Sequence, residues 1–127
     1  MNYFNTRSLG RRFERIAIDF LVKRGFEIIE INYQTKIGEI DIIALDQKNI
    51  WHFIEVKSKK LESLFGLPEE AVNQKKQEKI IQTAEQYLMR RGLEEVNVSL
   101  DVLVICNNVL KRIVRIVLYE NAFERYN

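Results

Sequence analysis

The sequence predicts an α/β fold, a mixed five-stranded sheet flanked by helices in the chain order helix, three strands, helix, two strands. Three observations carry that class. Apolar residues recur at helical spacing in two long stretches, and five β-branched runs bounded by short polar turns fill the rest. The central strands are apolar on both faces, as strands covered from each side must be. A chain of 127 residues suffices for one domain, residues 1–127, and no Pro/Gly/Ser-rich linker divides it.

Each element has its own signal. From Ser8 to Arg24, Leu9, Phe13, Ile16, Ala17, Phe20 and Leu21 build an apolar stripe, Gly25 is the stop, and Arg11, Arg12 and Arg15 lie outside. Glu27–Gln34 is Ile-rich and weakly alternating, which reads as a strand. A turn at Thr35–Gly38 leads into Glu39–Leu45, and Asp46-Gln47-Lys48-Asn49 turns that run into Ile50–Lys57, a hairpin. Pro68 with Glu69 and Glu70 opens the second helix, and Arg90, Arg91 and Gly92 close it, an order that suits both backbone and macrodipole. Val98–Cys106 and Arg112–Leu118, joined at Asn107-Asn108, are the last two strands.

Composition excludes several function classes. With 46% hydrophobic and 30% charged residues the chain can build an ordinary core, so neither disulfide nor zinc is needed to fold it. The single cysteine, Cys106, lies in an apolar run and reads as a small buried core residue. One Cys and one His build neither a zinc site nor, so placed, a Cys–His nucleophile. The formal charge of +2 permits nucleic-acid binding without demanding it. No stretch approaches the roughly 18–20 apolar residues of a membrane span. The opening residues hold no secretory apolar region, so the expectation is a cytoplasmic protein without a membrane partner.

The hairpin carries the chemistry. Glu55 and Lys57 share a strand face, with Trp51 and Phe53 before them; Glu39 and Asp41 share a face of the preceding strand. A three-residue turn, Gln47-Lys48-Asn49, sets Asp46 opposite Ile50, Asp41 opposite Glu55 and Glu39 opposite Lys57. A two- or four-residue turn sends the two carboxylates to opposite faces. In the first register the carboxylates carry Cβ atoms about 4.5–5.5 Å apart. Their repulsion is costly unless a cation lies between them, and Mg²⁺ (or Mn²⁺) is the natural occupant. Lys57 then stands ready to orient a water or stabilise phosphate charge. The plain alternative is a solvated hairpin end with a Glu39–Lys57 cross-strand ion pair.

"GEIDIIALD" and "FIEVKSK" resemble the PD-(D/E)xK, or restriction-endonuclease-like, nuclease superfamily. The chain is more closely similar to the YraN family of small bacterial proteins, whose fold is like that of archaeal Holliday-junction resolvases. The likeness covers nearly the whole chain. It runs from Gly10-x-x-x-Glu14-x-x-Ala17 through Gly25-Phe26, Asn32-Tyr33, Gly38-Glu39-Ile40-Asp41 and Glu55-Val56-Lys57. It continues through Gly66-x-Pro68, Val72-x-x-x-Lys76 and Ala84-x-x-Tyr87-Leu88 to Asn121-Ala122-Phe123. The resemblance implies a restriction-endonuclease-like sheet, Asp41 and Glu55 as metal ligands, Lys57 as catalytic lysine and Glu14 on the first helix completing the site. The proline of the motif's label is missing, Glu39-Ile40 preceding Asp41 instead, and Ser99-Leu100 stands before Asp101 where a bulky basic-aromatic pair is expected. The implied activity is metal-dependent hydrolysis of phosphodiester bonds in DNA, including branched or structured DNA. Related resolvases act as dimers, so a homodimer is implied, although no apolar stripe marks an interface.

Other residues support that expectation. Extending the apolar face of the second helix backwards brings Val72, Asn73, Lys76 and Gln77 towards the sheet, so Lys76, with Gln77 as helper, reads as a phosphate or site-facing contact. The alternative for Lys76 is a stem packed on the core edge with its charge in water. Lys59 and Lys60 leave the strand for the loop Leu61–Leu67, whose tips are Leu64 and Phe65, and are expected to touch nucleic acid. His52 faces away from Glu55 and is read as a surface or core residue, Trp51 as core. The rival function is a non-catalytic nucleic-acid-binding or assembly module that keeps the nuclease fold. It predicts salt-sensitive DNA binding that survives Lys57→Ala and Glu55→Ala.

Overall fold

The computed structural model describes residues 3–60, 72–108, 110 and 112–124, with side chains from Arg11 onward except that of Val114. Seven elements follow in the expected order: α1 (Tyr3–Lys23), β1 (Glu27–Gln34), β2 (Glu39–Leu45), β3 (Trp51–Lys60), α2 (Gln74–Arg90), β4 (Val98–Asn107) and β5 (Ile113–Tyr119). The sheet order is β1-β2-β3-β4-β5. All neighbours are antiparallel except β3 and β4, which run parallel and are joined through α2.

The two helices cover opposite faces, each face drawn from alternate strand residues. Ile42, Ala44, Ile54, Leu103 and Ile105 pack with Ala17 and Leu21 of α1. Ile43, Phe53, Val102 and Val104 pack with Ile80, Ala84 and Tyr87 of α2. Both faces of the sheet are therefore buried at the middle of β2, β3 and β4, which is why Ile42-Ile43-Ala44, Phe53-Ile54 and Val102–Cys106 are apolar without alternation. Full burial of such a side chain stabilises the fold by about 1.5–3 kcal/mol. Trp51 and Cys106 are core residues, as expected.

Both helices stop in the same way. Gly25, at φ +89°, donates to the Val22 carbonyl while Phe26 donates back to Leu21. Gly92, at φ +67°, and Leu93 repeat the arrangement on Met89 and Leu88. The start of α2 differs from expectation. Pro68, Glu69 and Glu70 lie outside the described residues, and the helix begins at Gln74 behind Asn73, whose side chain accepts from the Lys76 N–H. No acid occupies its first turn. The cap is an Asx side chain rather than a proline followed by acids.

The β2–β3 turn has the three-residue form. Asn49 sits at φ +64°, Asp46 and Ile50 close the ladder through the Asp46 N–H, and Asp46 Oδ1 accepts from the N–H groups of Lys48 and Ile50. The pairs Leu45↔Trp51, Ala44↔His52, Ile43↔Phe53 and Ile42↔Ile54 follow. This is the register that sets Asp41 across from Glu55.

The same end of the sheet is tied by His52. The ring is buried and edge-on to Phe26, with Nδ1 2.6 Å from Asp101 Oδ2 and Nε2 2.8 Å from Asp46 Oδ2. Asp101 also accepts from Ser99 Oγ and from the Asn121 N–H, so the turn, β3, β4 and the segment after β5 meet on one imidazole. Burial pulls the His52 pKa down, but the hydrogen bonds from Asp101 and Asp46 outweigh it and leave it raised. Carboxylates on both nitrogens call for two N–H donors, hence an imidazolium. A raised histidine contributes stability that is complete below its unfolded value of 6.5 and is lost as pH rises through the folded value. The stability difference between the native chain and His52→Gln should shrink as pH rises above 6.5, as read by thermal unfolding at each pH; a difference that grows with pH would overturn the raised histidine.

Candidate functional site

Beyond Ile42↔Ile54 the sheet divides. β2 continues beside β1 through Tyr33↔Ile40 and Gln34↔Glu39, while β3 continues beside β4 to Lys60↔Asn107. Described β2–β3 pairing ends at Ile42↔Ile54. The alternation of β2 breaks at the same place, since Ile40 joins the core under α2 whereas Ile42 lies under α1. In the gap the Asp41 carboxylate accepts from the Val56 N–H at 2.8 Å, satisfying a donor the ladder has released.

Asp41 and Glu55 converge on this gap. Glu55 is 5% exposed and lies close enough to Asp41 for its charge to act on that carboxyl. Burial first, then the charge of Glu55, push the Asp41 carboxyl up to about 7, against the lowering effects of the Val56 N–H and the Lys76 charge. A carboxyl buried beside a second one ionises at a cost, so Asp41 takes up its proton as pH falls through about 7.

Two lysines answer from different elements. Lys57, two residues along β3, places Nζ 3.7 Å from Glu55 Oε1. Lys76, on the first turn of α2, places Nζ 2.6 Å from the same oxygen. Burial lowers the Lys76 pKa, yet the Glu55 hydrogen bond and charge, together with Asp41, leave it raised. Lys76 therefore turns its ammonium towards Glu55. Gln77 donates its side-chain amide to the Val72 carbonyl at 2.8 Å, so it helps to fasten the approach to α2.

Glu14 reaches the notch from α1. It lines a cavity of about 240 Å³ with Phe13, Asp41, Val56 and Ser58. Its Oε2 accepts from the Asn32 amide at 2.9 Å. Asn32 lies between the pairs Ile31↔Ile42 and Tyr33↔Ile40, hence across from Asp41, at φ +52°. Sequence reasoning did not single out Asn32 for a role. Its signal is an asparagine inside a β-branched run, a residue type that tolerates the left-handed conformation. Lys59 and Lys60 end β3, half-buried and exposed respectively, and the loop Leu61–Leu67 beyond them lies outside the described residues.

A second cluster lies at the hairpin end, where His52, Asp101 and Glu120 bring ligand atoms within 4.8 Å of one another and could hold a metal ion. Both imidazole nitrogens there already face carboxylates, so an ion would have to break one of those contacts. A cavity of about 400 Å³ adjoins it, with Arg24, Lys48 and Glu120 on its wall. No described helix is long and apolar enough to cross a membrane.

Residues 13–105 match the uncharacterised protein family UPF0102, a span that holds Glu14, Asp41, Glu55, Lys57 and Lys76. The chain is 39% identical over 125 residues to a UPF0102 protein of Clostridium botulinum, covering 98% of this chain and 99% of the relative. It is 44% identical over 97 residues to one from Alkaliphilus metalliredigens, covering 76% and 83%. It is 49% identical over 85 residues to one from Caldicellulosiruptor bescii, covering 66% and 69%.

The conflict between Asp41 and Glu55 has a measurable cost. The Asp41 value of about 7, against 3.8 for a free carboxyl, means the folded state holds the extra proton between those values, so stability falls as pH rises through that window. Asparagine keeps an acceptor for Val56 and removes the charge. In metal-free urea unfolding, Asp41→Asn should be more stable than the native chain by about 1–3 kcal/mol near pH 8 and about equal near pH 4. An equal effect at both pH values would show that burial and the neighbouring Glu55 do not raise the Asp41 carboxyl.

Proposed function

We propose that this chain, which belongs to the uncharacterised protein family UPF0102, is a divalent-metal-dependent phosphodiesterase that hydrolyses DNA, branched or otherwise structured DNA included. The observation that carries the reading is the pair Asp41–Glu55 pressed together at a split in the sheet, with Asp41 raised to about 7 and two ammonium groups turned towards Glu55. Such a notch spends folding stability on concentrated negative charge, which suits a site built for a cation rather than for packing.

The donor set fits a hard ion. Asp41 and Glu55 offer carboxylate oxygens from neighbouring strands, and Glu14 stands on the wall of the cavity that Asp41 shares. Mg²⁺ or Mn²⁺ accepts such ligands while keeping several waters. Bound there, it supplies a water acidic enough to serve as nucleophile and offsets charge building on the phosphate. The chain's own groups do the rest. The Val56 N–H holds Asp41 in the gap. Asn32 fixes Glu14 towards the same cavity. Lys57 projects beside Glu55, where its ammonium orients the attacking water or steadies a phosphate oxygen. Lys76, with Lys59 and Lys60 at the end of β3, contributes positive charge for the DNA backbone.

The test is a cleavage screen of purified protein on single-stranded, duplex, flap and four-way-junction DNA, with Mg²⁺ or Mn²⁺ and with chelator. Cleavage should require the metal and fall by roughly 100-fold or more in Lys57→Ala and in Asp41→Asn. The reading fails if DNA and RNA substrates stay intact and calorimetry detects no divalent ion bound. DNA binding indifferent to both substitutions would favour the non-catalytic binding module.

A further inference from the structure

We propose that Lys76 is a tethered cation that closes the metal position in the free protein, and that an arriving divalent ion releases it into the adjoining groove to meet a substrate phosphate. This rests on Asp41 and Glu55 being metal ligands. The Lys76 ammonium lies 2.6 Å from Glu55 Oε1, and Glu55 is 5% exposed, so the carboxylate has little open surface on which to hold two cations. A divalent ion must approach carboxylate oxygens to about 2.0–2.1 Å, inside the space the ammonium fills. Ion and ammonium therefore compete for one position. Lys57, at 3.7 Å on the rigid strand, stands aside from it.

Lys76 also has somewhere to go. Its backbone is pinned by the Asn73 cap, with the N–H 2.9 Å from Asn73 Oδ1, while the four-carbon stem is free to turn and the side chain is 37% exposed. Beside it lies a groove of about 430 Å³ between the start of β2 and α2, into which Lys75 and Lys79 also face. The carboxylate on that wall, Glu39, is engaged by Gln34 at 3.3 Å. Three ammonium groups against one carboxylate make the groove a phosphate site once Lys76 has swung in. Metal binding and DNA binding are thereby linked through one side chain.

The full chain, stripped of metal, is titrated with Mn²⁺ in a calorimeter as native protein, Lys76→Gln, Lys57→Gln and Glu55→Gln, and duplex affinity is read by fluorescence anisotropy with and without Ca²⁺. Lys76→Gln should bind Mn²⁺ roughly tenfold more tightly than the native chain, and Lys57→Gln should change less. Ca²⁺ should strengthen duplex binding of the native chain more than that of Lys76→Gln. Lys76→Met, which keeps the stem and drops the charge, repeats both measurements if Lys76→Gln does not fold. Mn²⁺ affinity unchanged or weakened in Lys76→Gln, with Glu55→Gln still abolishing it, overturns the tethered cation and leaves the metal site standing. Equal Ca²⁺ enhancement in both proteins overturns the release to phosphate. Mn²⁺ binding indifferent to Glu55→Gln overturns the metal site and this inference with it.

Discussion

The register of one hairpin governs the rest of this molecule. It sets Asp41 level with Glu55, and the break in alternation between Ile40 and Ile42, where β2 and β3 part, lets the two carboxyls meet in the gap. The turn is held at three residues by local chemistry. Asn49 accepts a left-handed backbone, and Asp46 spends Oδ1 on two N–H groups of the turn and Oδ2 on His52. His52 in turn is fastened to Asp101 on β4. The Asp41–Glu55 notch is thus positioned from several residues away, by a network that touches neither carboxylate.

The two ends of β3 solve opposite problems. At the hairpin end, carboxylates face a histidine that can carry charge, and the polar groups satisfy one another in a buried network. At the other end, two carboxylates face each other. The strands part, a backbone N–H turns to Asp41, and a proton or an ammonium must make up the difference. The first arrangement contributes order. The second costs stability and is tolerated because the first, with the two cores above and below the sheet, holds the surrounding backbone in place.

Much of this was legible in the sequence. The bounds of β1 and β2 follow from β-branched runs ended by polar turns, whereas the register stayed open among two-, three- and four-residue turns until the Asp46 and Asn49 contacts selected the middle one. The pairing of two acids with Glu55-x-Lys57 pointed to the notch. Other features depend on contacts that local periodicity does not encode. The late start of α2 hangs on one Asn73 side chain. The partners of His52 come from residues six and 49 positions away. That Lys76, rather than Lys57, lies closest to Glu55 depends on how α2 lies across the sheet, and helical spacing could give its direction but not its reach.

The position of Lys76 also explains how so charged a notch is balanced within the fold. A buried carboxylate pair with no counterion would neutralise by taking up protons, and Asp41 goes part of the way. Glu55 meets an ammonium instead, supplied by a helix that enters the fold after the strand it serves. Placing the counterion on a separate element matters, because a lysine fixed on β3 could not leave without disturbing the strand. A lysine on the first turn of α2 can be displaced at the cost of one ion pair while its backbone stays capped. On the proposed reading, charge balance without the ion and release with it are two positions of the same side chain.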